Sequence, residues 1–594
     1  MKKLATDVLV VGGGTGGVAA AISAARHGVK TILATEFSWL GGMLTSAGVA
    51  APDGNELEPW QTGLWGAYLQ ELQQKQAGGL DNGWVSLFTY HPGCGAAIFA
   101  DWVAQIPNLE WIKNCVPRSV VQQNQLIRAV QFDDAIVEAQ IVIDATELGD
   151  LLALGEIPYR WGWESATEFN EPSLQQATEF NNHCDLSDLS SQYPVQAPTW
   201  VFLLQDYSKG QNSSNDTLAL DSLTNQEQFR GAWENYGTEK FLNYGKLTDS
   251  LYMINWPISG NDYGDNLDRL IGSETAKQEW FSEAYNHSLD FAHYLQTELE
   301  PCYGVAQDIF PQAASGFALH PYYRESRRIV GKTTVTEHNI LPVNNGCVAP
   351  LPVNEQKLVD AIAIGNYAND HHYPGVDFPL QPKSIRWGGR WTGTPFTIPY
   401  SALIPQAVDG LLVAEKNIAV SHIANGSTRL QPVVMNIGQA AGVAAALCIE
   451  QNCQPRELAV RKIQEALLTD STAPAAVIPL FNVSLGHPEW LYWQRYYLDH
   501  PEAYNLEGIC PCKTVAQNSV PKGNYYQGIL ERQDYQQYRF RIVEPNEMKH
   551  QVWQLITINH QTNQQLCDLK NHTLIRLVGR LNHAGNWLIV EAIL

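Results

Sequence analysis

The sequence predicts an α/β fold, in which a Rossmann-like domain carries an inserted α+β domain and a small β-rich module at its C-terminal end. Three observations predict this organisation. A glycine-rich turn joins a short apolar run to an alanine-rich segment near residue 12. Apolar runs typical of buried parallel strands return near residues 141–144 and 411–414. Apolar and polar residues alternate in several runs between residues 538 and 594, which indicates antiparallel strands.

The first element is the stretch DVLVVGGGTGG, Asp7 to Gly17. An apolar strand precedes three glycines in the spacing GxGxxG, and a helix follows as far as Gly28. The first glycine permits the tight turn, the second lets the backbone approach a pyrophosphate, and the third lets helix and strand pack closely. A second apolar run, Thr31–Ala34, completes a βαβ start. The motif therefore predicts a nucleotide site at the positive end of the helix.

Composition limits the remaining possibilities. A chain of 594 residues with 45% hydrophobic residues suggests several folded domains. The boundaries that we predict are 1–154, 155–330, 331–453 and 454–594, where 1–154 and 331–453 are two parts of one nucleotide domain. A net charge of −23 argues against nucleic acid or an anionic membrane as the main partner.

Other whole-chain features give weaker expectations. Asp7 interrupts the only apolar run near the start, so we interpret it as a strand and not as a secretion signal. No apolar run reaches the length of a membrane span. The ten cysteines lie singly apart from Cys510 and Cys512, which fits a reducing cytoplasm. No set of side chains has the spacing of a metal site.

Helices, a β-meander and an inserted domain are predicted after the first βαβ unit. Helices are predicted over Pro59–Gln74 and Pro92–Val103, and a three-run β-meander between Asn108 and Gln140. The run IVIDATELGD, Ile141–Asp150, returns the chain to the nucleotide sheet. The inserted domain contains the polar segment Asn212–Asp216 and predicted helices over Asn225–Tyr236 and Ala276–Glu298.

The later segments complete the nucleotide domain and add the final module. Strand Leu411–Ala414 precedes a helix in which Gly438 and Gly442 form a flat face. A helix is predicted over Arg456–Leu468. The runs YRFRIVE, HQVWQLITI, TLIRLVGRL and NWLIVEAIL follow, and the sequence NHAG between the last two predicts a hairpin. This module could serve dimerisation, lid formation or partner docking.

Five motifs occur together in this chain, in a fixed order. They are VVGGGTGG, TEFSWLGGMLTSAGV, VIDATELGD, YYRESRRIVG and LLVAEKNIAVSHIANGSTRLQPVVMNIGQAAGVAAAL. In this the chain resembles FAD-dependent oxidoreductases of the glutathione-reductase-like superfamily, and most of all the group that also contains sequences labelled xanthan lyase. The resemblance covers residues 5 to 450. It implies FAD as the cofactor and a Rossmann-like FAD-binding domain.

The resemblance also implies which residues contact FAD. Gly12, Gly14 and Gly17 would hold the pyrophosphate, and Glu36 or Thr35 the adenosine ribose. Glu147, Glu415 and Lys416 depart from the residues usual in the family. The full set of implied cofactor residues is Gly12, Gly14, Thr15, Gly17, Thr35, Glu36, Gly41, Gly42, Met43, Thr45, Ala145, Thr146, Gly149, Asn417, Arg429, Gln431, Gly438 and Gly442.

Catalysis beside a flavin needs a proton route and donors or cations that orient the substrate. The candidates are His371, His372, His422 and Arg324. Arg324 belongs to the run YYRESRR, which could equally form salt bridges at a domain junction. The stretch SIRWGGRWTGTPFTIPY interleaves arginine and tryptophan, which would stack on a planar substrate or cover the cofactor.

The sequence therefore predicts an FAD-dependent dehydrogenase or oxidase that takes a hydride from a small organic substrate. No second GxGxxG in a βαβ context is present, so oxygen, a quinone or a protein is favoured as the electron acceptor. Two alternatives remain open: flavin-assisted redox-neutral or modification chemistry, and a non-catalytic nucleotide-binding subunit. A homo-oligomer is also possible.

Overall fold

The computed structural model describes residues 2–76, 78–179, 186–209, 226–311, 316–513 and 523–594. The predicted segment Asn212–Asp216 lies outside these residues. The first part of the chain contains β1 (Lys2–Val11), α1 (Thr15–Arg26), β2 (Thr31–Thr35), α2 (Gly63–Lys75), α3 (Pro92–Ala104), β3 (Leu109–Lys113), β4 (Pro117–Gln123), β5 (Leu126–Phe132), β6 (Ala135–Asp144) and α4 (Asp150–Leu154).

These strands form the central sheet of the nucleotide domain, in the order β3-β2-β1-β6-β5-β4. β1, β2, β3 and β6 are parallel, and β5 pairs antiparallel with the first half of β6 on its other edge. The apolar runs of β1 and β2 are buried, as expected for a sheet covered on both faces. The predicted α/β fold with a parallel sheet is therefore confirmed.

The predicted meander differs in detail from the observed strands. The run LEWI forms β3 and pairs with β2 at the parallel edge, because its register continues the βαβ order. The antiparallel meander consists of β4, β5 and β6, and β4 was not predicted. The predicted runs IVEAQ and IVID are one ten-residue strand, β6.

Residues between 155 and 330 form a smaller sheet and several helices. They contain β7 (Tyr159–Arg160), α5 (Pro172–Glu179), α6 (Leu186–Gln192), β8 (Phe202–Asp206), α7 (Thr238–Tyr244), β9 (Leu251–Ile254), α8 (Glu274–Glu298), β10 (Tyr303–Val305) and β11 (Arg328–Ile329). The antiparallel sheet has the order β10-β8-β9. The helix predicted over Ala276–Glu298 is α8. The helix predicted over Asn225–Tyr236 is wrong. A 3-10 turn occupies Gln226–Phe229, and Gly231 and Gly237, both at positive φ, interrupt the backbone before α7 begins.

The chain then returns to the nucleotide sheet. This part contains β12 (Ala361–Asn366), β13 (Ser384–Trp387), β14 (Arg390–Gly393), β15 (Pro395–Pro399), β16 (Leu411–Val413), α9 (His422–Thr428), α10 (Gln431–Gln451), α11 (Val460–Leu468) and α12 (Trp490–Asp499). β16 pairs in parallel with the second half of β6. α11 begins at Val460, four residues later than the predicted start, because a 3-10 turn occupies Pro455–Glu457.

α10 has the length and apolar composition of a membrane-crossing helix, and most of it is buried inside the protein against α1. The flat face predicted for it is where the two helices meet. A Cβ atom at Gly438 would lie 2.1 Å from the carbonyl oxygen of Gly16, and one at Gly442 would lie 2.2 Å from that of Ala20. These glycines let α1 and α10 touch through their backbones.

The last described segment is a closed five-stranded barrel, residues 523–594, which we call the C-terminal barrel. It contains β17 (Asn524–Asp534), β18 (Gln537–Glu544), β19 (Val552–Ile556), α13 (His560–Asp568), β20 (Leu574–Asn582) and β21 (Trp587–Ile593). β20 and β21 form the hairpin indicated by NHAG. Its interior is a separate apolar cluster around Leu530, Phe540 and Leu577.

Candidate functional site

A first cavity of about 350 Å³ opens where β1, β2 and β6 end and α1 begins. Its walls come from the glycine turn, the end of β2 and the segment after β6. The predicted cofactor residues that line it are Gly12, Gly14, Thr35, Glu36, Gly42, Ala145 and Thr146. Nucleotides bind at this carboxyl edge in open α/β sheets.

The glycine turn has the close contacts that the motif predicts. Gly12 has φ +109°, and a Cβ atom there would lie 2.0 Å from the carbonyl oxygen of Ala145. A Cβ atom at Gly17 would lie 2.1 Å from the carbonyl oxygen of Gly12. Gly14 is the N-cap of α1 and provides no side-chain hydrogen bond. Gly14 also lines the cavity, so the N-terminal end of α1 faces it, as a phosphate site requires.

A buried cluster of three charges lies beside this turn. Lys416 Nζ is 2.6 Å from Glu147 Oε2 and 3.3 Å from Glu415 Oε2, and the amide of Gly16 donates to Glu415 Oε1 at 2.7 Å. Burial raises the pKa of Glu415 to about 7, although the ammonium group of Lys416 opposes the rise. For Glu147, burial is outweighed by Lys416, which lowers the pKa of that carboxyl.

These residues fit a dinucleotide cofactor. The glycine turn and the positive end of α1 suit a pyrophosphate, and Glu36, directly after β2, lies in the wall, where a ribose hydroxyl needs an acceptor. Oε1 of Glu147 is buried without a hydrogen-bond partner in the described structure, so it is free to accept from a sugar or ribityl hydroxyl. A carboxylate at Glu415 would repel the phosphates. The fit is best when Glu415 is protonated.

A second cavity of about 570 Å³ lies beyond the first. Residues 42–51 and 319–324 contribute to both, so the two cavities are neighbours. The second cavity is lined by apolar and aromatic side chains together with Asp53, Asn255, Arg324, Asp370, His372, Arg386, Arg390, Arg429, Gln431, Gln537 and Gln554. Such a mixture of an apolar surface and a few charged groups is typical of a substrate site.

A chain of ion pairs crosses the wall of the second cavity. Asp262 contacts Arg324 at 3.2 Å and Nδ1 of His372 at 2.6 Å. Asp370 Oδ2 contacts Nε2 of His372 at 3.0 Å and Arg429 at 3.2 Å. Both nitrogens of His372 are thus engaged by carboxylates.

The carboxylates of this chain are strongly ionised. Burial alone would raise the pKa of Asp262, but Arg324 and His372 lower it to about 2. Burial likewise opposes ionisation of Asp370, and His372 with Arg429 lowers its pKa well below the ordinary value. The chain of charges is therefore a fixed electrostatic frame and offers no free base.

Asp53 differs from these carboxylates. It is partly buried, lines the same cavity, and its side chain makes no hydrogen bond or ion pair with the described residues. Burial raises the pKa of Asp53 well above its ordinary value, and the nearby Glu56 and Asp370 add to the rise. The positive charge of Arg390 opposes it. A carboxyl group with these properties is suited to exchanging a proton with a bound molecule.

Two of the predicted catalytic histidines lie behind the cavity. Nε2 of His371 donates to the carbonyl of Ile423 at 3.0 Å, and its Nδ1 lies 2.7 Å from the hydroxyl of Tyr373. That hydroxyl is 2.6 Å from Nε2 of His422, whose Nδ1 is 2.9 Å from Glu325. Burial and the neighbouring His422 hold the pKa of His371 well below its ordinary value.

The tautomer of His371 follows from its neighbours. Neutral His371 uses its one proton on the carbonyl, so its Nδ1 accepts from the Tyr373 hydroxyl. The Glu325 carboxyl that His422 contacts also faces Arg328 at 3.3 Å.

The predicted residues thus separate into two groups. Eleven of them line a cavity: the seven residues named above line the first, and the second is lined by Arg324, His372, Arg429 and Gln431. The remainder lie behind the walls: Thr15, Gly17, Gly41, Met43, Thr45, Gly149, Asn417, Gly438, Gly442, His371 and His422.

Three of these placements correct the predicted contacts. Gly438 and Gly442 meet α1 and not a cavity, because their missing side chains are needed where the two helices touch. Asn417 uses its amide on the backbone, accepting from Glu415 N at 3.0 Å and donating to the Asp144 carbonyl at 3.1 Å. Its neighbour Glu415 reaches the cradle instead.

Sequence reasoning missed Asp53, Asp262 and the contribution of the C-terminal barrel. Asp53 stands in the run APDGN, which has only the signature of a turn. Asp262 lies between β9 and α8, far in sequence from any of the motifs. Among the described residues, no group of three His, Cys, Asp or Glu side chains is arranged to hold a metal ion.

Comparison with solved structures gives distant likenesses. A geranylgeranyl bacteriochlorophyll reductase-like protein from Thermoplasma acidophilum is 12% identical over 86% of this chain and 94% of its own, with a TM-score of 0.31. The p-nitrophenol 4-monooxygenase of Pseudomonas putida is 12% identical over 35% of this chain and 49% of its own, with a TM-score of 0.22. The L-proline dehydrogenase of P. horikoshii is 17% identical over 28% and 25%, with a TM-score of 0.15. The chain thus spans half or less of the last two proteins, and these likenesses are too weak to support an argument about activity.

The family comparison is decisive. No curated protein matches the chain. The family model described as FAD dependent oxidoreductase matches residues 7–467, which include the glycine turn, both cavities apart from the barrel's side chains, and α10. The chain is therefore an enzyme that uses FAD, and it belongs to the FAD-dependent oxidoreductase family.

Proposed function

We propose that this enzyme is a dehydrogenase or oxidase whose small organic substrate binds in the second cavity and loses a hydride to FAD. The observation that supports this proposal is the position of that cavity. It adjoins the nucleotide cradle through two shared segments, and it holds a proton-accepting group together with a fixed set of charges. When bound, FAD supplies the hydride acceptor.

The residues that would hold FAD are those of the first cavity. The N-terminal end of α1 faces the pyrophosphate, Glu36 or Thr35 the ribose, and Glu147 a hydroxyl. Arg429 and Gln431, at the start of α10, extend this set into the second cavity. We also propose that, within its family, the protein belongs to the glutathione-reductase-like group that contains sequences labelled xanthan lyase.

Asp53 accepts the substrate proton in this proposal. Loss of a hydride from a C–H bond next to a hydroxyl or amine also releases a proton from that oxygen or nitrogen, and a nearby base lowers the barrier. Asp53 is the carboxyl in the cavity that is not already committed to a described partner. Its raised pKa makes it a stronger base than an ordinary aspartate once it is ionised.

His372, Arg324 and Arg429 orient the substrate and do not remove its proton. Both nitrogens of His372 are engaged by carboxylates, so this ring does not accept the substrate proton. The positive charges of the two arginines stabilise negative charge that develops on the substrate. His371 and His422 act from behind the wall, where they position Tyr373.

The electron acceptor in this proposal is oxygen, a quinone or a protein. The sequence contains one GxGxxG in a βαβ context, and it lies in the nucleotide cradle. We also propose that the protein is cytoplasmic, which its singly placed cysteines favour, and that it self-associates.

The test combines the spectrum of the purified protein with anaerobic reduction. We expect an FAD spectrum that bleaches when a panel of alcohols, amines and hydroxy acids is added without oxygen. For a substrate found in this way, Asp53→Asn should lower the reduction rate by 10²–10⁴-fold and remove the acidic limb of its pH profile, with FAD content unchanged. A neighbouring substitution outside the cavity, Glu58→Gln, is the control.

Two results would contradict the proposal. Substrate conversion without any change in the flavin spectrum would favour redox-neutral chemistry. An Asp53→Asn enzyme that reduces flavin at the rate and with the pH profile of the parent would remove the assigned base.

A further inference from the structure

The hairpin β13–β14 presents a cation to the second cavity. Arg386 and Trp391 are directly paired across the two strands, and the guanidinium carbon lies 4.5 Å from the centre of the indole ring. Both side chains line the cavity. Trp391 is 58% exposed, and the guanidinium of Arg386, which stacks on its ring, makes no hydrogen bond or ion pair with the residues that the structure describes.

The C-terminal barrel holds this hairpin by its tip. The turn residues Gly388 and Gly389 have φ +60° and +87°, as a two-residue hairpin turn requires. Gly388 N donates to Gln536 Oε1 at 2.8 Å, and its carbonyl accepts from the amide of Thr557 at 2.8 Å. Gln554 donates to the carbonyl of Gly389, also at 2.8 Å. The hairpin cannot move from the cavity without breaking these bonds.

The contact leaves no room for side chains at the turn. A Cβ atom at Gly388 would lie 2.1 Å from the carbonyl oxygen of Thr557, and one at Gly389 would lie 2.1 Å from that of Leu555. Both atoms belong to the backbone of the barrel, so neither can rotate away. The tip is therefore fitted to the barrel backbone.

The barrel also completes the cavity wall next to the hairpin. It provides Gln537, Gln554 and Trp587 to the lining. Arg390 of the hairpin lies over the ring of Trp587, 4.8 Å from its centre. One wall of the cavity is thus built jointly by the hairpin and the barrel, and we call it the hairpin–barrel wall.

Each arginine of the cavity except Arg386 has a carboxylate partner. Asp262 faces Arg324, Asp370 faces Arg429, and Glu56 faces Arg390, each at 3.2 Å. Arg386 has no carboxylate within ion-pair distance among the residues that the structure describes. The grouping of four arginines around one cavity stands out in a chain whose net charge is −23.

We propose that the second cavity selects a small substrate bearing a carboxylate or a similar anionic group, and that Arg386 on the hairpin–barrel wall binds that group. This inference rests on the proposed function for the identity of the site. It also assigns a role to the C-terminal barrel: the barrel fixes the position of the substrate-binding arginine. A guanidinium fork matches the two oxygens of a carboxylate.

The test measures anion binding directly, without a turnover assay. Benzoate and acetate are titrated into the FAD-loaded protein, with benzamide and acetamide as neutral counterparts of the same shape. Binding is followed by tryptophan fluorescence, because Trp391 and Trp587 lie in the wall, and by calorimetry. We expect at least one anion to bind ten times or more tightly than its amide, and to weaken as salt is added.

Two variants assign the effect to the wall. Arg386→Gln should weaken anion binding at least tenfold and leave amide binding unchanged. Gly388→Ala should weaken it as well, because the tip no longer fits the barrel. Arg128→Gln, which removes an exposed arginine on β5, is the charge-matched control and should bind as the parent does.

Several outcomes would overturn the inference: equal affinity for anions and amides, binding of neither anion, or an Arg386→Gln protein that binds anions as tightly as the parent. The FAD spectrum of each preparation is recorded in parallel. Anion binding by a protein whose flavin no substrate reduces would count against the proposed function and not against this inference.

Discussion

Substituting Gly438 by alanine tests how closely the nucleotide cradle depends on the contact between α1 and α10. The new Cβ atom would lie 2.1 Å from the carbonyl oxygen of Gly16, and an ordinary contact needs about 3.4 Å. Since the opposing atom belongs to the backbone, α1 must move by roughly 1 Å. Overpacking of this kind costs about 1–3 kcal/mol, and we expect the upper end because no side chain can yield.

The same movement reaches the cofactor site. Gly16 lies in the first turn of α1, and its amide donates to Glu415 beside the cradle. We therefore expect Gly438→Ala to weaken FAD binding and to lower the thermal midpoint of the FAD-loaded protein by roughly 3 °C, given the entropy of unfolding of a unit of about 450 residues.

The assay is a thermal melt of each purified protein followed by an FAD titration of the apoprotein. Gly486→Ala is the matched control, because a Cβ atom there meets nothing within 4 Å. If Gly438→Ala melts and binds FAD as Gly486→Ala does, the helices are not in backbone contact and the reasoning fails.

Three further predictions follow from buried groups. Asp262→Asn, which leaves Arg324 and His372 short of a counter-charge, should lower the free energy of unfolding by roughly 3 kcal/mol near neutral pH. In the parent the pKa of Asp262 is lowered from 3.8 to about 2, so its stabilisation is complete above about pH 4 and fades towards pH 2. Denaturant melts of both proteins should therefore converge over that interval, and a constant difference would refute the assignment. Burial raises the pKa of Glu415 to about 7, so FAD should bind more weakly as pH rises from 6 to 8.5, by up to about tenfold per unit above 7. Glu415→Gln should bind with little pH dependence in an FAD titration, and an unchanged slope would show that another group titrates. Tyr373→Phe strands two buried histidine nitrogens and should cost about 2 kcal/mol in a denaturant melt, with the FAD dissociation constant unchanged; a loss of FAD would mean that the relay reaches the cofactor.

Much of the nucleotide domain could be predicted because its signals are local. The turn between β1 and α1 needs glycines at fixed spacings, and β16 with α10 has the same strand-and-helix pattern. The boundaries of β3 and β6 were harder to predict. Both are apolar runs of ordinary length, and only pairing with distant strands decides between a parallel edge and a meander.

The substrate site could be predicted only in part. His372 and Arg324 belong to recognisable motifs, and both line the second cavity. Asp53 could not be identified, because its significance lies in what surrounds it and not in its neighbours in sequence. The role of His372 depends on Asp262, which lies 110 residues earlier in the chain, so the contacts of the ring are a property of the assembled fold.

The pairing of β16 with β6 has a consequence for how the protein is made. Leu411 lies beside Val142, so the second half of β6 lacks this neighbour until the ribosome has added the residues between them. At 5–20 residues per second, that interval is roughly 15–50 s. An apolar strand edge stays open for all of it, and such edges pair readily with other chains. Nascent chains in this interval are thus expected to need a chaperone, more so when translation is slow.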